Sequence, residues 1–251
     1  ACNMGGMGFI ENNKAECMLS VLINTNLLRA SVENKVSKYL FSSSACVYNA
    51  EKQKKTFVPG LKESDAYPAE PEDGYGWEKL FSERMCRHYL EDYGLDVKVA
   101  RYHNVYGQNG TYDGGREKAP AALCRKIIIA KEKNSDIIDV WGDGKQTRSF
   151  LFIEDCVNAT LQFFNSNHHG PINIGSEEKV SINEMIEKIE KISSKKFKKN
   201  YQLDKPKGVR GRSSNNDLIR KLLKWEPKYN LYEGLKKTYQ WIEEDMKKNN
   251  Q

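Results

Sequence analysis

Apolar positions recur at helical spacing over residues 17–34, where Leu19, Leu22, Ile23, Leu27 and Leu28 mark one face. The period then changes. Val36 to Val47 reads as a short buried strand running into the small-residue stretch Ser42-Ser43-Ser44-Ala45-Cys46. Residues 49–72 hold Pro59, Pro68 and Pro71 among many charges and predict a long surface loop. A helix is expected from about Tyr75 to Tyr93, stopped by Gly94. The alternation in Leu95-Asp96-Val97-Lys98-Val99-Ala100 predicts a strand.

The second half is mixed. Pro120 sits near the start of a helix reaching about Ala130. Short strands are expected at Ile137–Trp141 and Ser149–Ile153, around Gly142-Asp143-Gly144, then a helix at 154–165 and a strand at Pro171–Ile174. Ser181-Ile182-Asn183-Glu184 is a capping box that opens another helix, and two more follow near 216–223 and 231–247. Strands alternating with helices in the first half imply a parallel sheet covered on both faces, an α/β protein.

Composition narrows the function classes. The 251 residues are 39% hydrophobic and 29% charged, a globular profile with a polar lean. A net charge of +6 is modest, and acids separate most of the lysines. The densest basic run, Lys195-Lys196-Phe197-Lys198-Lys199, reads as a solvated loop between a helix and a strand rather than a nucleic-acid patch. The mild positive excess suits phosphate-bearing substrates. No apolar run approaches the roughly 18 residues of a membrane span, and no basic start leads into an apolar leader. Cys2, Cys17, Cys46, Cys86, Cys124 and Cys156 form no Cys-x-x-Cys pair. Free thiols in a reducing cytoplasm are the simplest reading. His88, His103, His168 and His169 make no metal-ligand set with them.

The chemistry centres on Tyr75-Gly76-Trp77-Glu78-Lys79. Four-residue spacing puts Tyr75 and Lys79 on one helix face. A neighbouring ammonium favours the phenolate, which can take a proton from a sugar hydroxyl. Alone, the pair is more often an ordinary feature of an amphipathic helix. Context adds to it: Ser42-Ser43-Ser44-Ala45-Cys46-Val47-Tyr48 lies upstream at a strand end, and Arg101-Tyr102-His103-Asn104-Val105-Tyr106-Gly107 lies downstream after another. Ligands of parallel α/β sheets bind beyond the carboxyl ends of strands.

With these three motifs the chain resembles the extended short-chain dehydrogenase/reductase family, the sugar-nucleotide epimerases and dehydratases. The resemblance spans essentially the whole chain. It is closest to the branch that inverts two centres of a GDP-linked sugar, through Gly5-Gly6-Met7-Gly8-Phe9-Ile10, Ser43 to Tyr48, Gly114 to Ala122, Trp141 to Phe150 and Gly208-Val209-Arg210-Gly211-Arg212. It implies a Rossmann-like sheet over residues 1–107 that holds NAD. A smaller mixed α/β substrate domain is implied over 108–251, with a segment near 145–165 returning to the sheet. Tyr75 and Lys79 would promote oxidation at the sugar's C4 with hydride passing to NAD. Cys46 and Lys118 match the acid/base pair that inverts C5 and C3, before re-reduction, with the cysteine as base. Ser44 would hold the reacting oxygen.

The same matching gives Gly5, Ser44, Ala45, Cys46, Asn104, Glu117, Lys118, Ala119, Lys126, Gln146, Thr147, Arg148 and Arg212 as substrate contacts, with guanidinium groups on the diphosphate. A homodimer pairing through residues 17–34 and 75–93 is also implied. By themselves, Cys46 reads as a buried small hydrophobe. Lys118, Lys126, Arg148 and Arg212 read as surface charges. A 4-epimerase or 4,6-dehydratase, and a non-catalytic binding subunit, remain alternatives. Cys46 and Lys118 discriminate, because a 4-epimerase needs no such pair.

Ala1 to Gly8 reads as a strand end entering a glycine-rich turn. Glu11 stands where a dinucleotide fingerprint needs glycine. Relative to the family pattern, the chain opens roughly one hundred residues in, past the strand, turn and acidic residue that hold the adenosine ribose. The expectation is that these residues alone bind NAD poorly.

Overall fold

The computed structural model describes residues 4–205 and 208–249. Its helices are α1 (Met7–Asn12), α2 (Lys14–Met18), α3 (Ser20–Glu33), α4 (Asp73–Tyr93), α5 (Ala119–Glu132), α6 (Ile153–Phe164), α7 (Ile182–Ser193), α8 (Asp217–Leu223) and α9 (Leu231–Asn249). The strands are β1 (Lys38–Ser44), β2 (Asp96–Tyr102), β3 (Val105–Tyr106), β4 (Ile137–Trp141), β5 (Thr147–Ser149), β6 (Leu151–Phe152), β7 (Ile172–Ile174), β8 (Lys179–Ser181), β9 (Lys198–Gln202) and β10 (Gly211–Arg212).

The first sheet has the order β1-β2-β7 and is wholly parallel. Both its faces are covered, and β2 is buried along nearly its whole length. Leu28 of α3 and Cys86 of α4 pack with Phe41, Val97 and Val99 on one face. Cys156, Ala159 and Phe163 of α6 pack with Ala100, Ile172 and Ile174 on the other. Lys98 also faces the α6 side. It is fully buried and satisfied by the Ser166 carbonyl at 2.7 Å and Asp96 at 2.9 Å.

A second core joins α5, α7 and α9 around Ile127, Ile128, Ile186, Ile189 and Leu235. Truncating one of those isoleucines to alanine would cost about 2–5 kcal/mol. Around this core β4 pairs with β9, and β5 lies between β10 and β8.

The helices expected from periodicity are present, and Gly94 ends α4 in the left-handed conformation at φ 67°. The capping box at Ser181 and Glu184 is formed with both bonds. Four expectations need correction. The chain start, Ala1 to Asn3, lies outside the described residues, but Met7 to Asn12 is helical rather than part of a turn. The strand expected to reach Val47 ends at Ser44 and tightens into a 3-10 turn over 45–47. The strand expected over Ser149–Ile153 is two pieces with different partners: β5 joins β8 and β10, while β6 joins β3. The lysine run is not all loop. Lys198 and Lys199 open β9 against Ile137 and Ile138, and Phe197 is buried beneath them.

Leu19, Leu22 and Leu27 of α2–α3 and Trp77 and Phe81 of α4 remain exposed, an apolar set on neighbouring helices. No helix among the described residues is long and apolar enough to cross a membrane.

Candidate active site

The site is built where β1 stops and α4 starts. Ser44 caps the 3-10 turn, its Oγ accepting from the Cys46 amide at 3.2 Å. The chain returns to this turn at Glu72, whose amide donates to the Cys46 carbonyl at 3.0 Å. Gly76, one turn into α4, lies so close that a Cβ would collide with the same carbonyl oxygen. Glycine is required for this approach.

The packing buries Tyr75 in one cluster with Cys46, Ile10 and Cys17. Lys79 is buried a turn later, its Nζ 5.6 Å from the Tyr75 ring centroid and 4.9 Å from that of Phe41. Both rings offer their faces to the cation. It forms a long ion pair with Glu78, Nζ to Oε2 at 3.6 Å.

The second half delivers cations to the other side of Cys46. β10 carries Arg212, buried, with Nη1 3.6 Å from Cys46 Sγ and Nε 2.5 Å from Gln53 Oε1. Its Nη2 is paired with Glu72 Oε2. Burial opposes the Arg212 charge, but Glu72 and Cys46 outweigh it and drive the guanidinium further up. Arg148, on the adjacent β5, is lowered to about 10 by burial and then by repulsion from Arg212. A crowded cationic pair of this kind gains from a bound anion.

Burial raises the Cys46 thiol, and Glu72 raises it again. Arg212 and Ser44 pull the other way without prevailing. Cations alone would lower a thiol, but here burial and a carboxylate oppose them. Lys118 caps the start of α5. It is open to solvent yet walled closely enough that its ammonium is lowered, chiefly by burial, while Cys46 and Cys156 draw it back up.

The remaining candidates divide. The Gly6 amide donates to the Arg116 carbonyl at 3.0 Å, and Gly5 abuts the Arg116 side chain, so these two sequence motifs meet. Ala45 is buried in the turn, and Ala119 begins α5. Glu117 Oε2 and Gln146 Oε1 are buried acceptors without hydrogen-bond partners. Both would be satisfied by ligand hydroxyls. Thr147 and Asn104 spend their side chains on the fold: the Thr147 hydroxyl donates to the Thr56 carbonyl, and Asn104 Nδ2 donates to the Ser149 carbonyl at 3.1 Å. Lys126 lies apart from Cys46, donating to the Asp139 carbonyl at 3.0 Å with its Nζ 5.6 Å from the Trp141 ring.

Sequence reasoning missed Glu72 and Gln53. In the sequence they are indistinguishable from the other polar residues of the 49–72 loop.

The model of the NAD-dependent epimerase/dehydratase family matches residues 7–175. The chain belongs to that family. Among similar members, GDP-mannose 3,5-epimerase of Arabidopsis thaliana is 47% identical over 249 residues, 99% of this chain and 65% of the relative. The chain thus spans just under two thirds of that relative's length. UDP-glucuronic acid 4-epimerase of Bacillus cereus, solved with UDP-glucuronic acid and NAD, aligns with TM-score 0.75 and 27% identity over 90% of this chain and 67% of that one. UDP-glucose 4-epimerase of Thermotoga maritima shares the fold at TM-score 0.85 and 22% identity, over 98% of this chain and 76% of that one.

Proposed function

We propose that these residues form the catalytic and sugar-binding part of a GDP-mannose 3,5-epimerase that uses NAD. The observation that carries this reading is that the turn holding Cys46 also seats Tyr75, with Lys118, the residue matched as partner to Cys46, capping the start of α5. An enzyme acting only at C4 has no use for that second pair.

Tyr75 removes the proton of the C4 hydroxyl. Ser44 Oγ already accepts from the Cys46 amide and keeps its own hydrogen to donate to the reacting oxygen. A C4 ketone acidifies the hydrogens on C3 and C5. Cys46 takes such a proton from one ring face, and Lys118 delivers one from the other. Arg148, Arg212 and Lys126 hold the diphosphate, and the unfilled acceptors of Glu117 and Gln146 take sugar hydroxyls. The charge of a bound diphosphate relieves the repulsion between Arg148 and Arg212.

The residues present fit the nicotinamide end of NAD. Lys79 is buried beside two aromatic faces, and its ion pair with Glu78 is long, so its N–H groups can meet ribose hydroxyls. When bound, NAD accepts the C4 hydride and returns it.

In this reading residues 1–107 are the cofactor-side domain and 108–251 mainly the substrate domain. The exposed apolar residues of α2–α3 and α4 pair two copies into a homodimer. Cys46, Cys86, Cys124 and Cys156 are free thiols, which suits a reducing cytoplasm. The test is GDP-mannose with NAD in deuterated buffer. Label should enter C3 and C5; no label at either carbon overturns the reading.

A further inference from the structure

Glu72 does three things at once. Its amide fixes the Cys46 carbonyl, its carbonyl accepts from Gly76 in the first turn of α4, and its carboxylate grips Arg212. The carboxylate also lines an open groove of about 620 Å³ with Glu11, Gln53, Lys54 and Arg210. The Arg212 guanidinium is consequently shared. One nitrogen faces Glu72, one faces Gln53, and only Nη1 reaches the Cys46 sulfur.

We propose that Glu72 is a positioning residue of the site, which holds Arg212 against Cys46 while absorbing part of the charge that would ionise the thiol. The proposal rests on Cys46 being the proton-transfer group of the reaction above. It makes the thiol's ionisation depend on what becomes of the Glu72–Arg212 pair. An anionic substrate drawn to Arg212 and Arg148 competes with Glu72 for the same guanidinium, which couples substrate capture to the state of the base.

Among the described residues, the following groups act on Cys46. Arg212 comes from β10, Arg148 from β5, Glu72 from the start of α4, Tyr75 from within α4, Lys118 from the start of α5 and Ser44 from β1. Glu72 is the carboxylate among them. Burial pushes its pKa up, but Arg212 outweighs burial and holds it below the ordinary carboxylate range, so Glu72 is ionised at neutral pH.

The test is peptide-resolved alkylation of Cys46 by iodoacetamide across pH, in the wild type, Glu72→Gln and Glu72→Asp. Glutamine keeps an acceptor for Arg212 and removes the charge. The alkylation limb should move to lower pH by about one unit in Glu72→Gln. It should stay near the wild-type position in Glu72→Asp, which keeps the charge. A purely structural role would lower the melting temperature without moving the limb. An unmoved limb in a folded Glu72→Gln protein overturns the proposal, as does an equal shift in Glu72→Asp. Deuterium entry into GDP-mannose, followed in parallel, separates the two readings. A shifted limb with no label in the wild type upholds Glu72 and removes the epimerase; label without a shift removes Glu72 alone.

Discussion

Arg101–Glu83 and Arg212–Glu72 are both buried arginine–carboxylate pairs braced against α4, and only the first is closed. Arg101 Nε and Nη2 meet the two oxygens of Glu83 at 2.9 and 2.7 Å, Nη1 donates to the Glu63 carbonyl at 2.7 Å, and Ser43 Oγ donates to Glu83 at 2.5 Å. Each group of this fork has a protein partner. Arg212 is held by a single carboxylate oxygen and one amide oxygen, and turns its remaining nitrogen to a thiol. The same two residue types thus serve as a rivet under the sheet and as an adjustable contact at the strand ends. Completeness of the hydrogen bonding separates them, and so does the greater exposure of the Glu72 carboxylate.

The largest effect should come from opening the closed pair. Arg101→Met leaves Glu83 buried and uncompensated, which costs about 3–5 kcal/mol. Urea unfolding of the variant should show that loss. A change below about 1 kcal/mol would mean the pair is no rivet, and the contrast would collapse.

His103 lies between the two pairs, and both arginines disfavour its charge after burial has done so first, lowering it to about 3 from 6.5. Asn173 Nδ2 donates to the Leu61 and Asn215 carbonyls, so Asn173 Oδ1 is an acceptor, and Nε2 of His103 carries the proton that meets it at 2.9 Å. The folded value lies below the unfolded one. Stability from neutral His103 is therefore complete above pH 6.5 and is lost as pH falls toward 3. By pH 5 the loss is about 2 kcal/mol. His103→Gln keeps a donor for Asn173 and does not titrate. The wild type should lose about that much more stability than the variant between pH 7 and pH 5. Parallel pH curves would show that His103 is not held neutral between the arginines.

Much of the scaffold was legible because its signals are local. The spacing of Leu19, Leu22 and Leu27, the stop at Gly94 and the box at Ser181 each depend on a few neighbouring residues. The short strands were not, since β3, β5, β6, β8 and β10 each have only two or three residues and owe their existence to distant partners. β9 was hidden by polar composition: its burial comes from Phe197 before it rather than from its own alternation. The placement of Ser44 at a strand end and of Tyr75 and Lys79 one turn apart on the following long helix was readable from motif order. The Glu72–Arg212 contact spans 140 positions, and no periodicity links such residues. The raised thiol was unreadable for the same reason, because its causes are burial and a carboxylate supplied by tertiary packing.

The smallest stability effect should be at the open pair, and there the thiol is the better witness. Arg212→Met strands Glu72, but that carboxylate borders the groove and can rehydrate, so the loss should be about 1–2 kcal/mol. A loss as large as that of Arg101→Met would erase the distinction. Removing Arg212 also takes away the cation that opposes burial at Cys46, so the alkylation limb should move to higher pH, opposite to Glu72→Gln. The double variant is decisive about mechanism. If Glu72 acts through Arg212 as well as by its own field, its effect on Cys46 should change once Arg212 is gone, and the two shifts should fail to add. Strict additivity would mean that each charge reaches the thiol separately, and that the guanidinium is not shared between them.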